Sequence, residues 1–342
     1  MFYIYIIISI IILLYFVKQY IRGGKCTIKH SMKGKFIIIT GASSGLGKYA
    51  TLDLLSSGAK VILACRNEQK ANDVIKTLNE EVKKQATFIK LDLCDFQSII
   101  SFANEIKENY PKIDILMNNA GAQPCSFNVT KDGFESFIQG NYIGMVLLSF
   151  LLIEHFNHEE GRIINLSSLG HFWSDLDLNN FEVFKNNSLI EKKFFASEFG
   201  KFNLYFTSKL MIIYFTQYLS SFFEKTKKNI KIAAVHPGIV NTNFVRFLEN
   251  YKIINFIFNL VQPLWIFFSK TTEEGAQTQL YLSYLPYNEI LSGSYYADCK
   301  VSPVSQKAKD ESLQKEVMKW TFETIKKGNL PEKELINLPK TI

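Results

Sequence analysis

Cysteine is sparse in this 342-residue sequence, and the five present (Cys26, Cys65, Cys94, Cys125 and Cys299) lie far apart with no C-x-x-C. An odd, scattered set excludes a disulfide framework and fits reduced thiols in a cytosol-facing protein. Histidines rarely come close together. His155 and His158 form the one near pair, without cysteine or a matching carboxylate pattern beside them. That pair reads as an exposed helix end, and no metal site is expected. The net charge of +7 is spread along the chain. No basic stripe of the kind that grips phosphate backbones is visible, so no nucleic-acid partner is expected. Disorder is excluded as well, because 47% of the residues are hydrophobic and 29 are phenylalanine. The length suffices for one large α/β domain or two ordinary ones.

Charge is wholly absent from Phe2 to Val17, FYIYIIISIIILLYFV. Such a run lies at the short edge of a membrane span, which needs about 17–25 residues. Lys18 and Arg22 can snorkel to lengthen it. A cleaved signal peptide is the rival reading, but a basic n-region and an A-x-A-like cleavage site are both lacking. Lys18, Arg22, Lys25, Lys29, Lys33 and Lys35 follow the run, and none precedes it. The positive-inside rule then puts the remainder in the cytosol, leaving the sequons Asn128-Val129-Thr130 and Asn186-Asn187-Ser188 unused. The expected division is an anchor over 1–17, a basic linker over 18–33, a main domain over 34–300 and a helical tail over 301–342.

Past the linker, short apolar runs rich in β-branched residues recur at Phe36–Thr40, Val61–Ala64, Thr87–Leu91, Ile113–Met117, Arg162–Leu166 and Ile230–Val235. Their length and composition suit strands buried on both faces. Amphipathic stretches at Lys48–Ser57, Gln69–Glu80 and Gln97–Asn109 separate them, and Lys307–Lys327 reads as a terminal helix. Alternation of this kind predicts a single α/β domain with a doubly wound parallel sheet of Rossmann type.

The first strand runs straight into Thr40-Gly41-Ala42-Ser43-Ser44-Gly45-Leu46-Gly47 and then a helix. Glycines there allow a tight turn and close approach of a pyrophosphate, which then sits on free N–H groups at the helix start. Gly41, Ser43, Ser44, Gly45, Leu46 and Gly47 are therefore candidate cofactor contacts. An acid about 20 residues beyond would hold the ribose hydroxyls of NAD. Arg66 stands there instead. It is read either as the partner of a 2′-phosphate, which favours NADP(H), or as a solvated loop residue.

Two Tyr-x-x-x-Lys pairs occur, Tyr205/Lys209 and Tyr296/Lys300. With sixteen tyrosines in the chain, spacing alone does not separate device from accident. The glycine pattern at 40–47, Asn118-Asn119-Ala120-Gly121 and Tyr205-x-x-x-Lys209, in that order, resemble the short-chain dehydrogenase/reductase family over about residues 34–300. Within it, Leu63-Ala64-Cys65-Arg66, Asp132-Gly133-Phe134-Glu135, Val235-His236-Pro237-Gly238 and Asp298-Cys299-Lys300 are similar to the membrane-anchored retinol dehydrogenase-like group.

The resemblance implies roles. Tyr205 would be the general acid/base, with Lys209 one helical turn away lowering its pKa and holding the nicotinamide ribose. Ser168 would position the substrate oxygen, and Asn141 would order a water relay to the lysine. Asp92 and Leu93 would meet the adenine. Asn119, Ala120 and Gly121 would line the cofactor, with Asn119 bracing strands, and Pro237, Gly238 and Thr242 would meet the nicotinamide. The Tyr296/Lys300 pair would fall in a closing strand and turn. A homodimer is among the family's expectations.

Two departures stand out. Ser168 and Tyr205 are 37 residues apart, so the extra stretch 172–199 is expected near the substrate entrance. The family's histidines near Asn141 are replaced in Asn141-Tyr142-Ile143-Gly144-Met145-Val146. The apolar segment 243–270 reads as a lid or interfacial element at a bilayer, its Asn255, Asn259, Gln262 and Pro263 arguing against a second span. The function expected is NADP(H)-dependent hydride transfer on a lipophilic, retinol-like alcohol/carbonyl pair at the endoplasmic reticulum. A steroid, lipid-ketone or long-chain aldehyde reductase is the enzymatic alternative. A catalytically silent, nucleotide-binding membrane scaffold is the alternative of another class.

Overall fold

A computed structural model describes residues 2–122, 126–179, 181–241, 262–328 and 330. Among the described residues, eight strands form one sheet in the order β3-β2-β1-β4-β5-β6-β7-β8. They are β1 (Phe36–Thr40), β2 (Lys60–Cys65), β3 (Ala86–Lys90), β4 (Ile115–Asn118), β5 (Gly161–Leu166), β6 (Ile230–His236), β7 (Tyr295–Ala297) and β8 (Lys300–Val301). The first seven run parallel and β8 closes antiparallel on β7. Right-handed crossovers lay helices on both faces, which is why β1, β4 and β5 are buried almost throughout. The six strands expected from the apolar runs are present with ends shifted by a residue or two.

The main helices are α1 (Phe2–Arg22), α2 (Gly45–Ser56), α3 (Glu68–Lys76), α4 (Phe96–Asn109), α5 (Gly144–Leu152), α6 (Glu198–Lys225), α7 (Thr272–Tyr284) and α8 (Glu311–Lys327). Two apolar clusters sandwich the sheet. Ile38, Ile62, Leu116 and Ile163 face α4, α5, α6 and α8. Ile37, Ile39, Met117 and Val235 face α2 and α7. The period-2 alternation of each strand thus feeds both layers.

Polar side chains tie the strands where apolar packing cannot. Asn118 Nδ2 donates to Asn165 Oδ1 at 2.8 Å and to Ser149 Oγ at 3.1 Å, and Asn165 Nδ2 donates to Thr216 Oγ1 at 3.0 Å. This chain links β4, β5, α5 and α6 beneath the catalytic edge of the sheet. At the opposite edge the buried Arg162 guanidinium donates to the carbonyls of Leu282, Ser283 and Leu285, which close the end of α7.

Two stretches differ from the sequence division. Helix α1 continues to Arg22, so the first five residues of the basic linker are helical. Among the described residues, two helical stretches are long and apolar enough to cross a membrane. Tyr3–Arg22 has no buried residue, whereas Ser136–His155 is almost wholly buried and belongs to the core. The C-terminal segment is integral to the domain. Trp320 Nε1 donates to Phe184 O at 3.1 Å, and its ring meets Phe181 and Phe184 edge-on. Phe322 packs on Phe150 at 5.3 Å between centroids. The inserted stretch 172–199 is thereby pinned to α8 through Phe181, Phe184 and Phe194. Replacing Trp320 by Ala should cost about 3–5 kcal/mol and lower the melting temperature by roughly 4–7 °C. Thermal unfolding checks this, and an unchanged midpoint would mean that α8 is an appendage.

Candidate active site

The strand order reverses between β1 and β4, and in such sheets the crevice beyond the carboxyl ends is the binding place. β1 ends at Thr40, whose hydroxyl accepts from Ala120 N at 2.9 Å while Asn119 Nδ2 donates to Thr40 O at 2.9 Å. These two bonds hold the glycine loop against the loop after β4. Gly41 and Gly45 have φ of +67° and +53°, a region that favours glycine. A Cβ on Gly47 would lie 2.5 Å from both Asn119 Nδ2 and Gly41 O. Ser44 precedes α2 without a side-chain cap, so the first N–H groups of that helix face the crevice. Asn119 Oδ1 is buried and has no partner among the described residues. A cradle of small residues, open N–H groups and an orphan acceptor fits a pyrophosphate dinucleotide.

Arg66 follows β2, exposed and with neither hydrogen bond nor ion pair among the described residues. Its charge is felt at Cys94, where it opposes the burial that pushes that thiol up to about 11. The guanidinium therefore lies within electrostatic range of the loop that carries Asp92, Leu93 and Cys94. Asp92 Oδ1 accepts from Cys94 N at 2.9 Å, fixing the turn, and Leu93 is buried.

Ser168 follows β5, and its hydroxyl hydrogen-bonds that of Tyr205 from the first third of α6. Ser167 points elsewhere, donating to Lys209 O at 2.8 Å, so geometry separates the two serines. Lys209 is 3% exposed, donates to Leu166 O at 2.8 Å, and lies 5.5 Å from the Tyr205 ring centre. Burial pushes its ammonium down to about 8. Burial likewise holds the Tyr205 phenol above its ordinary value, with the Ser168 bond pulling against it. Desolvation is the larger of these two opposing effects.

Asn141 sits in a π-turn, Gln139–Ile143, just before α5. Its carboxamide accepts from Ala122 N and donates to Ala122 O, each at 2.9 Å. The side chain thus braces the loop after β4. A water relay would draw on backbone carbonyls that the wider turn leaves without α-helical partners, rather than on this amide.

The rival pair is arranged quite differently. Tyr296 and Lys300 lie on a hairpin, where Tyr296 faces Val301 and Ala297 faces Lys300. Tyr296 Oη accepts from Leu291 N at 2.9 Å, a structural tie. Its neighbour Tyr295 points to the other layer, where its hydroxyl is buried without a partner among the described residues and is coupled electrostatically to Tyr205.

Several residues near the site carried no sequence signal. His171 Nε2 accepts from Ser305 N at 3.1 Å, so its proton is on Nδ1, which bonds Ser168 O at 2.7 Å. His236 Nδ1 accepts from Leu169 N at 3.1 Å, and burial, aided by Lys270, pushes this ring down to about 4. Two neutral imidazoles thus fix the backbone around Ser168. Trp173, Phe202 and Phe206 form an aromatic rim beside Tyr205.

After β6, Gly238 has φ +91°, and a Cβ there would fall 2.6 Å from Lys270 Cδ. Lys270 pairs with Asp298 at 2.6 Å and bridges Val240, closing the base of the loop that Pro237-Gly238 opens. Thr242 and residues 243–261 of the apolar segment lie outside the described residues.

The family model described as short chain dehydrogenase matches residues 35–173. Retinol dehydrogenase 14 of Homo sapiens is 34% identical over 324 residues, covering 90% of both chains. Retinol dehydrogenase 12 of Mus musculus is 33% identical over 297 residues, covering 86% of this chain and 87% of its own. The chain is a short-chain dehydrogenase/reductase of the retinol dehydrogenase-like group. A short-chain dehydrogenase/reductase from Caenorhabditis elegans, solved with cofactor, shares the fold at a TM-score of 0.57 and 20% identity over 78% of this chain and 93% of its own. A protein of Mycobacterium paratuberculosis does so at 0.67 and 24%, over 89% and 98%. The protein is thus an oxidoreductase of a family that uses a nicotinamide cofactor.

A buried ammonium with a lowered pKa has a consequence for stability. Below about pH 8 the native state carries the desolvated charge, while the unfolded lysine keeps its proton up to about 10.5. Stability should therefore rise with pH between those values. Lys209→Met should melt a few degrees higher than the parent at pH 7, with the gain shrinking as pH climbs past 8. Scanning both proteins from pH 7 to 9.5 tests this, and a pH-independent difference would contradict it.

Proposed function

We propose that this short-chain dehydrogenase/reductase transfers hydride between NADP(H) and a lipophilic alcohol/carbonyl pair, with Tyr205 as general acid/base. The observation that carries the reading is the shared hydrogen bond of Ser168 and Tyr205 beside the buried Lys209 ammonium. The bound nicotinamide supplies the hydride. Ser168 and Tyr205 hydrogen-bond the substrate oxygen and polarise it. In reduction, the Tyr205 phenol gives its proton to that oxygen as negative charge grows there.

The phenolate left behind stands beside the Lys209 ammonium. With a pKa of about 8, roughly nine in ten lysines carry the charge at pH 7. The cation thus stabilises the phenolate and, being readily deprotonated, can return a proton to it. Tyr295, buried beside Tyr205 with no partner for its hydroxyl among the described residues, restricts where a substrate can sit.

Cofactor contacts follow the cradle: Gly41, Ser43, Ser44, Gly45, Leu46 and Gly47 at the pyrophosphate, Asp92 and Leu93 at the adenine, Asn119, Ala120 and Gly121 along the dinucleotide, and Pro237, Gly238 and Thr242 at the nicotinamide. The unpaired Arg66 supports a 2′-phosphate partner and hence NADP(H). For the substrate, the aromatic rim and the names of the retinol dehydrogenase relatives support a long apolar chain. The exposed apolar α1, followed by lysines and an arginine, supports a membrane anchor with the domain in the cytosol, on a membrane such as the endoplasmic reticulum.

A panel of lipophilic aldehydes and ketones, each assayed with NADPH and NADH, tests the reading. Tight NADPH binding with no turnover of any carbonyl would contradict it and favour a silent scaffold. Tyr205→Phe should lower kcat by at least about 10³-fold, on the scale of lost acid–base and oxyanion contacts, with NADPH affinity held within about threefold; Tyr296→Phe should leave kcat near the parent's. Arg66→Ala should weaken NADPH by roughly 10–100-fold, the worth of a charge-assisted pair, and leave NADH unchanged. Equal loss for both cofactors would remove Arg66 from the phosphate.

A further inference from the structure

Helical residues 262–268 leave apolar side chains bare: Leu264, Ile266 and Phe268 are 59%, 50% and 50% exposed. Helix α1 is just as bare up to Tyr15 and Phe16. The two surfaces meet at one side chain. Lys18 Nζ, two residues past Phe16, donates to Phe267 O and Ser269 O at 2.9 Å each and reaches Ile266 O at 3.4 Å. It also lies 5.7 Å from the Phe267 ring centre. The final carbonyls of a helix lack intrahelical partners, and a cation there also meets the negative end of the helix dipole. Lys18 therefore caps a helix 248 residues away in the chain.

Two further links reach the same place. Arg22 pairs with Glu274 at 2.8 Å, at the start of α7. Gly23 and Gly24 then press so closely on Asp298 that a Cβ on either would fall 2.0 Å from its atoms. Asp298 holds Lys270, which lies over Gly238 at the base of the loop beside the catalytic crevice. The end of α1 is thus fastened to the frame of the site, not joined to it by a slack tether.

We propose that the face of 262–268 bearing Leu264, Ile266 and Phe268 docks on a lipid bilayer, in the same leaflet as the end of α1, and that Lys18 is the positioning residue holding it there. This rests on the reading of α1 as a membrane anchor. A lysine at the hydrocarbon boundary must reach water or backbone carbonyls, and here the carbonyls of the docked helix receive it. Lys25 and Lys33, a little beyond, suit anionic headgroups. The end of α1 and the 262–268 helix meet at Lys18, so one bilayer covers both apolar stretches.

The full chain, reconstituted in phosphatidylcholine/phosphatidylserine vesicles containing a diazirine-bearing phosphatidylcholine, is photolysed and its lipid adducts mapped by peptide mass spectrometry. Adducts are expected on 262–268 and on 3–16. Lys18→Ala should cut those on 262–268 at least threefold and leave those on 3–16 unchanged, and Lys18→Arg should restore them. Adducts on 3–16 alone, or crosslinks joining two copies through 264–268, would overturn the docking while sparing the anchor. Absence of adducts on 3–16 would overturn the anchor reading itself. Adducts on 262–268 unaffected by Lys18→Ala would overturn the role of Lys18. No step of the assay depends on turnover.

Discussion

A positive charge kept in a nearly dry place is the constraint around which the site is organised. Lys209 has a backbone carbonyl, Leu166 O, as its hydrogen-bond acceptor, and burying an ammonium is costly unless something receives it. That carbonyl is the last of β5, so strand position and charge position are one requirement. Ser167 ties the strand back to α6 through Lys209 O, and Ser168, next in line, reaches Tyr205. Burial lowers the proton affinity of the lysine and raises that of the phenol, so the lysine becomes the readier proton donor of the two.

The loop around Ser168 has its own supports. His171 and His236 each accept a backbone N–H, and both are held neutral by burial. A charged imidazole could not accept at the same nitrogen, so protonation of either would release the loop. On the cofactor side, the bonds from Asn119 and Ala120 to Thr40 hold two loops at the switch point of the sheet. The scaffold therefore holds the Ser168 loop from one side and the glycine cradle from the other. Trp173, Phe202 and Phe206 give the mouth beside Tyr205 an aromatic rim.

Much of this was legible in the sequence, for identifiable reasons. Strands buried on both faces must be apolar throughout, so β1 to β6 stood out as β-branched runs. The glycine loop was legible because Gly41, Gly45 and Gly47 answer to steric demands no other residue meets. What escaped came from long-range pairing. Trp320 and Phe184, Lys18 and Phe267, and His171 and Ser305 are each more than a hundred residues apart, and no local pattern joins them. The π-turn at Asn141 was hidden because its apolar spacing is that of an ordinary helix. Helix α1 runs on to Arg22, past the charge-free run, because Lys18 interrupts hydrophobicity and not helix geometry. Tyr296 and Lys300 share a spacing with Tyr205 and Lys209, but four residues along a hairpin do not bring side chains to one face as four along a helix do.

The central claim is that Tyr205 protonates a lipophilic carbonyl as it accepts hydride from NADPH. Single-turnover reaction of vesicle-reconstituted protein with 4-deuterated NADPH and a long-chain aldehyde, followed by mass spectrometry of the alcohol, addresses it directly. One deuterium per alcohol is predicted for one of the two C4 epimers, in step with cofactor oxidation. Alcohol without deuterium, or oxidised cofactor without alcohol, would contradict the account.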